Sequence, residues 1–166
     1  MHRIAFAAIL AAGASACVTI GGGYGPVEEY TVDQAIPLGP DASAEVNLRA
    51  GPFEIVKVLV RNAPTEKDVL EDKRGTDRSH PKPVIVARSF AKETARVTLA
   101  SILEDEDGQP LMTCSGRKDQ DLDGGTTDDW NTCFLEAIRT ADWPRVKFFH
   151  LIVTFRVQEE AAQPPQ

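Results

Sequence analysis

The alternation of apolar and polar residues predicts a chain of short β-strands. In segment 146–157 every second residue from Phe149 onward is large and apolar, and the positions between them are also largely apolar. This is typical of a strand inside a two-sheet sandwich or beneath a covering element. Segment 96–103 alternates in the same way. The predicted inner faces are Phe149, Leu151, Val153, Phe155 and Val157 in the last strand, and Val97, Leu99, Ser101 and Leu103 in the earlier one.

Five further segments predict strands, because they are rich in β-branched and aromatic residues and are separated by turn residues. They cover residues 29–32, 46–49, 53–61, 84–90 and 111–115. No strong helical pattern accompanies them. The sequence therefore predicts an all-β fold, a two-sheet β-sandwich.

Two polar stretches interrupt the predicted strands. Residues 62–83 contain three prolines and a charged middle, which predicts one long polar insertion in the sandwich. Within it, residues 66–72 are compatible with one or two helical turns that begin at Thr65 as the N-cap. Residues 116–129 predict a polar loop.

The first seventeen residues have the layout of an export signal. His2 and Arg3 form a short polar, positively charged start, residues 4–12 are an unbroken apolar run, and small residues lead to Cys17. The run is about half of the roughly 20 apolar residues that a spanning helix needs. This layout predicts a signal peptide over residues 1–16.

The last four residues of this segment, Ala14-Ser15-Ala16-Cys17, resemble the lipobox of bacterial lipoproteins. Ser15 and Ala16 match that pattern, whereas Leu is usual at the position of Ala14. The resemblance implies that Cys17 receives acyl chains such as palmitate and becomes the first residue of the mature protein. The alternative is simple secretion, because Ala14 and Ala16 also form an A-x-A cleavage site.

Lipid on Cys17 would attach the protein stably to a membrane, since two or more acyl chains suffice. In enteric bacteria an Asp after the cysteine retains a lipoprotein at the inner membrane, and Val18 at this position favours the periplasmic side of the outer membrane. We therefore predict a cell-envelope protein with a tether over residues 17–28, a sandwich domain over 29–158 and a disordered tail over 159–166.

The chain has three cysteines, and an odd number is unusual in an exported protein. Lipid on Cys17 would leave Cys114 and Cys133 to pair with each other. Each of these two lies in or beside a predicted strand next to the polar loop, and an oxidising compartment favours their pairing. We predict a disulfide bond between Cys114 and Cys133.

The charge of the chain limits its partners. The net charge is −7 at pH 7, and loss of the signal peptide with Arg3 brings it to −8. Nucleic-acid binding depends on clustered Lys and Arg, so no nucleic-acid partner is expected. The same charge argues against adhesion to anionic lipid headgroups.

Three segments in the middle of the chain carry a further resemblance: Val58-Leu59-Val60-Arg61-Asn62, Lys82-Pro83-Val84 and residues 97–108. They are similar to small immunoglobulin-like domains of bacterial envelope proteins, in which a valine-rich strand ends in Arg-Asn and a later strand ends in an Asp-Gly turn. The insertion between the segments departs from that pattern. Such folds host many functions and predict none of them.

No catalytic set is evident in the sequence. His80 lies in the polar insertion, and His150 lies in the last strand, where a hydrogen-bonded structural role is the expectation. No Ser stands in a recognisable nucleophile elbow. The cysteines lack the spacing expected of a zinc site.

One motif indicates a metal ion. The segment Asp119-Gln120-Asp121-Leu122-Asp123-Gly124 has the form D-x-D-x-D-G, which opens EF-hand calcium loops. Trp130 stands where an EF-hand needs its last carboxylate, and Asp128 or Asp129 is an alternative ligand. Calcium is therefore a possible cofactor, held by Asp119, Asp121, Asp123 and Asp128; the other interpretation is a solvated acidic turn.

These observations predict a non-catalytic, lipid-anchored envelope protein that acts as a binding or structural module. Its partners would be the membrane, through lipid on Cys17, and an envelope protein that the sequence does not identify. One alternative is a calcium-stabilised adhesion or ligand-binding domain. A second alternative is a hydrolase whose site is assembled from scattered residues.

Overall fold

The computed structural model describes residues 27–114, 120–133 and 135–158, which form mainly antiparallel strands. In chain order the elements are β1 (Val27–Pro37), β2 (Ser43–Ala50), β3 (Phe53–Arg61), α1 (Glu66–Glu71), β4 (Arg78–Ser79), β5 (Lys82–Ser89), β6 (Ala95–Glu104), β7 (Pro110–Cys114), β8 (Gln120–Leu122), β9 (Thr127–Asn131), β10 (Ile138–Arg139), a 3₁₀ helix (Thr140–Arg145) and β11 (Phe148–Gln158).

Two antiparallel sheets make up the sandwich. The first sheet has the strand order β1-β11-β6-β7, and β8 also pairs with β6. The second sheet has the order β2-β3-β5-β9, while β4 and β10 form a separate two-stranded sheet. The prediction of an all-β, two-sheet sandwich is confirmed. The resemblance to immunoglobulin-like domains rests on short sequence segments and stays a prediction.

The core lies between the inner faces of the two sheets, where the predicted alternation is confirmed. The inner positions of β11 and β6 are buried, and their neighbours along each strand are mostly partly or fully exposed. Phe155 of the first sheet stacks on Phe53 of the second, with ring centroids 4.4 Å apart. Burial of such large side chains is the main contribution that stabilises a fold of this kind.

The chain enters the sandwich at the end where β1 begins, which we call the N-terminal end. Val27 pairs there with Gln158, the last residue of β11. The turn between β2 and β3 lies at the same end, because Gly51 packs against the ring of Tyr30. Gly51 has φ +57°, and a side chain there would meet that ring, so only glycine suits the position.

The long insertion contains the predicted helical turns. Thr65 caps α1 through a capping box: its hydroxyl accepts from the backbone N–H of Asp68 at 3.2 Å, and the Asp68 carboxylate accepts from the backbone N–H of Thr65 at 2.7 Å. Such reciprocal caps satisfy donors that the first helical turn leaves free. The prediction of Thr65 as N-cap is confirmed.

The prediction of a single polar loop over residues 116–129 is wrong in part. The short strands β8 and β9 begin within it and pair with β6 and β5, respectively. Their Asp-rich sequences carry little strand propensity, and pairing with established strands supplies the hydrogen bonds that propensity does not predict. In addition, β1 begins at Val27, within the last two residues of the predicted tether.

Candidate functional site

The predicted disulfide joins the two sheets. Cys114 ends β7 in the first sheet, Cys133 follows β9 in the second, and their Cα atoms are 5.0 Å apart across a separation of 19 positions. Beside it, the hydroxyl groups of Ser101 and Thr132 form a buried hydrogen bond of 2.5 Å. The prediction of a Cys114–Cys133 disulfide is confirmed, and neither cysteine is a free thiol.

The outward side of the first sheet, which we call the outer face, is formed by the alternate residues of β1, β11 and β6 that point away from the core. Its middle is apolar and partly exposed, and includes Ile152, Ala100 and Ile102. Thr31 and Thr154 form a hydrogen bond of 3.1 Å on the same face. Charged residues lie at both ends of this apolar centre.

His150 lies between two carboxylates on the outer face, in the half away from the N-terminal end. Its Nδ1 atom is 2.9 Å from Glu104 Oε1 in β6, and its Nε2 atom is 2.7 Å from Asp33 Oδ1 in β1. Ionised carboxylates only accept hydrogen bonds, so the imidazolium form, which donates from both nitrogens, satisfies both contacts. We call these three residues the histidine cluster.

The pKa of His150 is raised above its ordinary value near 6.5. Partial burial on its own lowers this pKa, because it disfavours the charged ring, but the hydrogen bonds to Asp33 and Glu104 and the charges of both carboxylates outweigh that effect. The Glu104 side chain is only 12% exposed, so its charge needs a close partner. The cluster therefore stabilises charge that would otherwise be poorly solvated, as expected for a structural histidine.

A row of four charged residues crosses the outer face near the N-terminal end. Glu29 of β1 is directly opposite Arg156 of β11, Arg156 is opposite Arg96 of β6, and Arg96 is opposite Asp121 of β8. We call these residues the charged row. Together with Val27, Thr94 and Gln158 they line an open groove with a volume of about 600 Å³.

The charges of this row are only half paired. Arg156 forms an ion pair with Glu29 at 2.7 Å. Among the residues that the structure describes, Arg96 and Asp121 have no hydrogen-bond or ion-pair partner through their side chains, although their Cα atoms are paired in the sheet. Arg96 and Arg156 also face each other with like charges, an arrangement that destabilises a strand pair.

The predicted calcium ligands that the structure describes are spread over three places. Asp121 belongs to the charged row; the Asp123 carboxylate accepts from the Thr94 hydroxyl at 2.9 Å; and Asp128 lies in β9 of the second sheet, where it accepts from the backbone N–H of Asp129 at 2.7 Å. Asp119 lies outside the described residues. Within the described ranges, no group of three or more His, Cys, Asp or Glu residues is arranged to hold a metal ion. Calcium binding stays a prediction.

The other residues that a catalytic site could use are engaged elsewhere. His80 lies with Nδ1 3.2 Å from the backbone carbonyl oxygen of Glu136, and Ser79 shares a hydrogen bond of 2.7 Å with the hydroxyl of Thr140. Among the described residues, neither His80 nor His150 has a Ser hydroxyl as its hydrogen-bond partner. Trp130 is buried in the core.

Sequence reasoning missed most of the residues that stand out on the outer face, namely Asp33, Glu104, Arg96 and Arg156. The alternation of β6 and β11 places these side chains on the outward side, but only the pairing register brings them together. The contact of His150 with Asp33 spans a sequence separation of 117. No short motif could have shown it.

Comparison with known proteins adds no relative. No protein-family model matches the chain, and no curated protein matches its sequence. In the described part of the structure, the helices are too short or too polar to cross a bilayer. Cys17, the predicted lipidation site, lies outside the described residues, so its role rests on the sequence.

Proposed function

We propose that this protein is a non-catalytic binding module of the bacterial cell envelope, held at a membrane by lipid on Cys17. The observation that carries the proposal is the groove on the outer face of the first sheet, in which only half of the charged residues are paired within the described part of the chain. It lies at the N-terminal end of the sandwich, where the chain arrives from Cys17 through residues 18–26. A charged, open groove on an antiparallel sheet favours ligand recognition.

The cysteines support the location. The Cys114–Cys133 disulfide accounts for two of the three cysteines and fits an oxidising compartment, which leaves Cys17 in the lipobox-like segment for acylation. Nine residues, 18–26, separate Cys17 from Val27, and a chain spans at most about 3.6 Å per residue. The tether would therefore keep the N-terminal end of the sandwich close to the bilayer.

Intact-mass analysis of membrane-extracted protein tests the anchor. We expect a mature N-terminal peptide that begins at Cys17 and carries acyl mass, and we expect Cys17→Ser to lose that mass and membrane retention. Ser15→Ala is the matched control, because a small residue at this position should leave processing intact. A soluble periplasmic protein with a free Cys17 thiol would contradict the proposal.

A further inference from the structure

We infer that the charged row binds a phosphate group that carries a primary ammonium, the chemistry of phosphoethanolamine. The row reads acid, base, base, acid across four adjacent strands: Glu29, Arg156, Arg96 and Asp121. The inference rests on the proposed function in one respect: lipid on Cys17 would hold the groove near a membrane, whose headgroups could then supply the phosphoethanolamine.

The formal charge of the row is what selects this class of ligand. Two arginines and two carboxylates cancel, so the groove has no net attraction for a simple polyanion or polycation. A ligand with both signs of charge can instead place its anion between Arg96 and Arg156 and its cation beside a flanking carboxylate. Arginine suits the anion, because a guanidinium binds phosphate through paired hydrogen bonds.

The spacing of the strands suits a short zwitterion. Neighbouring strands lie about 4.8 Å apart, which sets the step between successive charges of the row. In phosphoethanolamine a two-carbon spacer separates the phosphate from the ammonium, a span of the same order. Arg96 and Asp121 are the pair that a ligand of this length would bridge, and both lack a partner among the described residues.

The charge of the whole protein agrees with a zwitterionic partner. At a mature net charge of −8 the domain is repelled by anionic lipid surfaces. An ethanolamine phospholipid headgroup is neutral overall and brings no such repulsion. The groove opens beside Val27, so a tethered domain could reach headgroups without unfolding any described strand.

The first test uses the chain from residue 17 to 166 carrying Cys17→Ser, so that no acyl chain contributes to binding. Amide NMR shifts of Arg96 and its neighbours are followed during titration with soluble phosphoethanolamine. We expect saturable shifts confined to the charged row, and about tenfold weaker binding in Arg96→Gln and in Asp121→Asn, as loss of a charge-assisted hydrogen bond implies.

Arg74→Gln is the matched control. It makes the same substitution at an exposed arginine of the insertion and should bind as the parent does. Inorganic phosphate and β-alanine are the comparison ligands, since each lacks one part of the proposed chemistry. Equal binding of either one, no shifts with phosphoethanolamine, or an unchanged affinity in Arg96→Gln would overturn the inference.

Vesicle co-sedimentation of the same protein distinguishes the two sources of the ligand. Binding to ethanolamine-phospholipid vesicles, lost in Arg96→Gln and weak on choline-phospholipid vesicles, would identify the membrane headgroup. Binding of the soluble compound alone would identify a free phosphoethanolamine ligand. Because the acyl anchor is absent from this protein, failure of the lipid-anchor proposal would appear only in the mass analysis of Cys17 and not here.

Discussion

The two charged clusters of the outer face lie on the same sheet and differ in how their charges are satisfied. In the histidine cluster, His150 has one carboxylate on each ring nitrogen, at 2.7 and 2.9 Å. In the charged row, Arg156 is paired with Glu29, whereas Arg96 and Asp121 have no side-chain partner among the described residues. We call the histidine cluster closed, because its charged groups pair with one another, and the charged row open, because two of its four do not pair within the described ranges.

This difference indicates that the histidine cluster stabilises the fold, whereas the charged row does not. Closed charges on adjacent strands contribute to stability, since each hydrogen bond to an ionised group offsets desolvation. Like charges that face each other, such as Arg96 and Arg156, cost stability, and Arg96 has no compensating contact within the described residues. A local cost of this kind is typical of functional sites, where recognition rather than folding explains the residue.

The largest expected effect comes from the disulfide, which restrains one cluster more than the other. The segment between Cys114 and Cys133 includes β8 and therefore Asp121, but no residue of the histidine cluster. Removing both cysteines with Cys114→Ala and Cys133→Ala should lower the free energy of unfolding by about 3 kcal/mol.

Urea unfolding measures this loss, and hydrogen exchange locates it. We expect faster amide exchange in β8 and in β9, with His150 and its neighbours in β11 little changed. The parent protein under reducing conditions provides the matched control, since it loses the same bond without a substitution. Two freely alkylatable thiols in protein from an oxidising envelope would refute the bridge itself.

Calcium binding would affect only one of the two clusters, because its predicted ligand Asp121 belongs to the charged row. With a dissociation constant near 10⁻³ M, about ten millimolar calcium should raise the free energy of unfolding by roughly 1.4 kcal/mol. Asp121→Asn should reduce that stabilisation, and Glu45→Gln, a change of the same kind at an exposed residue of β2, should not. If calorimetry shows no heat of binding and calcium leaves the melting temperature unchanged, the calcium prediction is wrong and the interpretation as a solvated acidic turn holds.

The hydrogen bonds of the histidine cluster predict that substitution of His150 destabilises the domain. His150→Gln should lower the free energy of unfolding by about 1 kcal/mol, because it removes hydrogen bonds to two carboxylates. His80→Gln is the matched control, since His80 is exposed and its one side-chain hydrogen bond among the described residues is to a backbone carbonyl. Equal unfolding midpoints for the two variants would show that the cluster contributes nothing to stability.

The same cluster predicts a pH dependence. Because the pKa of His150 is raised in the folded state, the stabilisation is fully present below about 6.5 and is lost as the pH rises through the folded-state pKa. The groups that face the ring are Asp33 from β1 and Glu104 from β6. NMR titration of the His150 ring measures the pKa, and a value below the ordinary one near 6.5 would contradict the prediction.

Local patterns account for what could be predicted from the sequence. Alternation assigns the inner face of β11, since successive side chains of a strand point to opposite sides. The cap at Thr65 could be predicted because its partner, Asp68, is three residues away. The disulfide followed from the cysteine count and the export signal.

Register accounts for what could not be predicted. His150 meets Glu104 across a separation of 46 residues, and the charged row combines residues of four strands. A shift of one residue in any strand pair would move these side chains to the other face, so composition and spacing along the chain cannot determine such a cluster. The strands β8 and β9 were missed for the related reason that pairing, not propensity, stabilises them.

The smallest expected effect has the opposite sign and separates the two clusters most sharply. Arg96→Gln should leave the domain as stable as the parent or stabilise it by a few tenths of a kcal/mol, because it removes one of two like charges that face each other across β6 and β11. Arg74→Gln, in the insertion, should have no measurable effect. Thermal unfolding at low salt makes the comparison, since added salt screens exposed charges. A clear loss of stability in Arg96→Gln would mean that Arg96 has a structural partner, and the charged row would then be as closed as the histidine cluster.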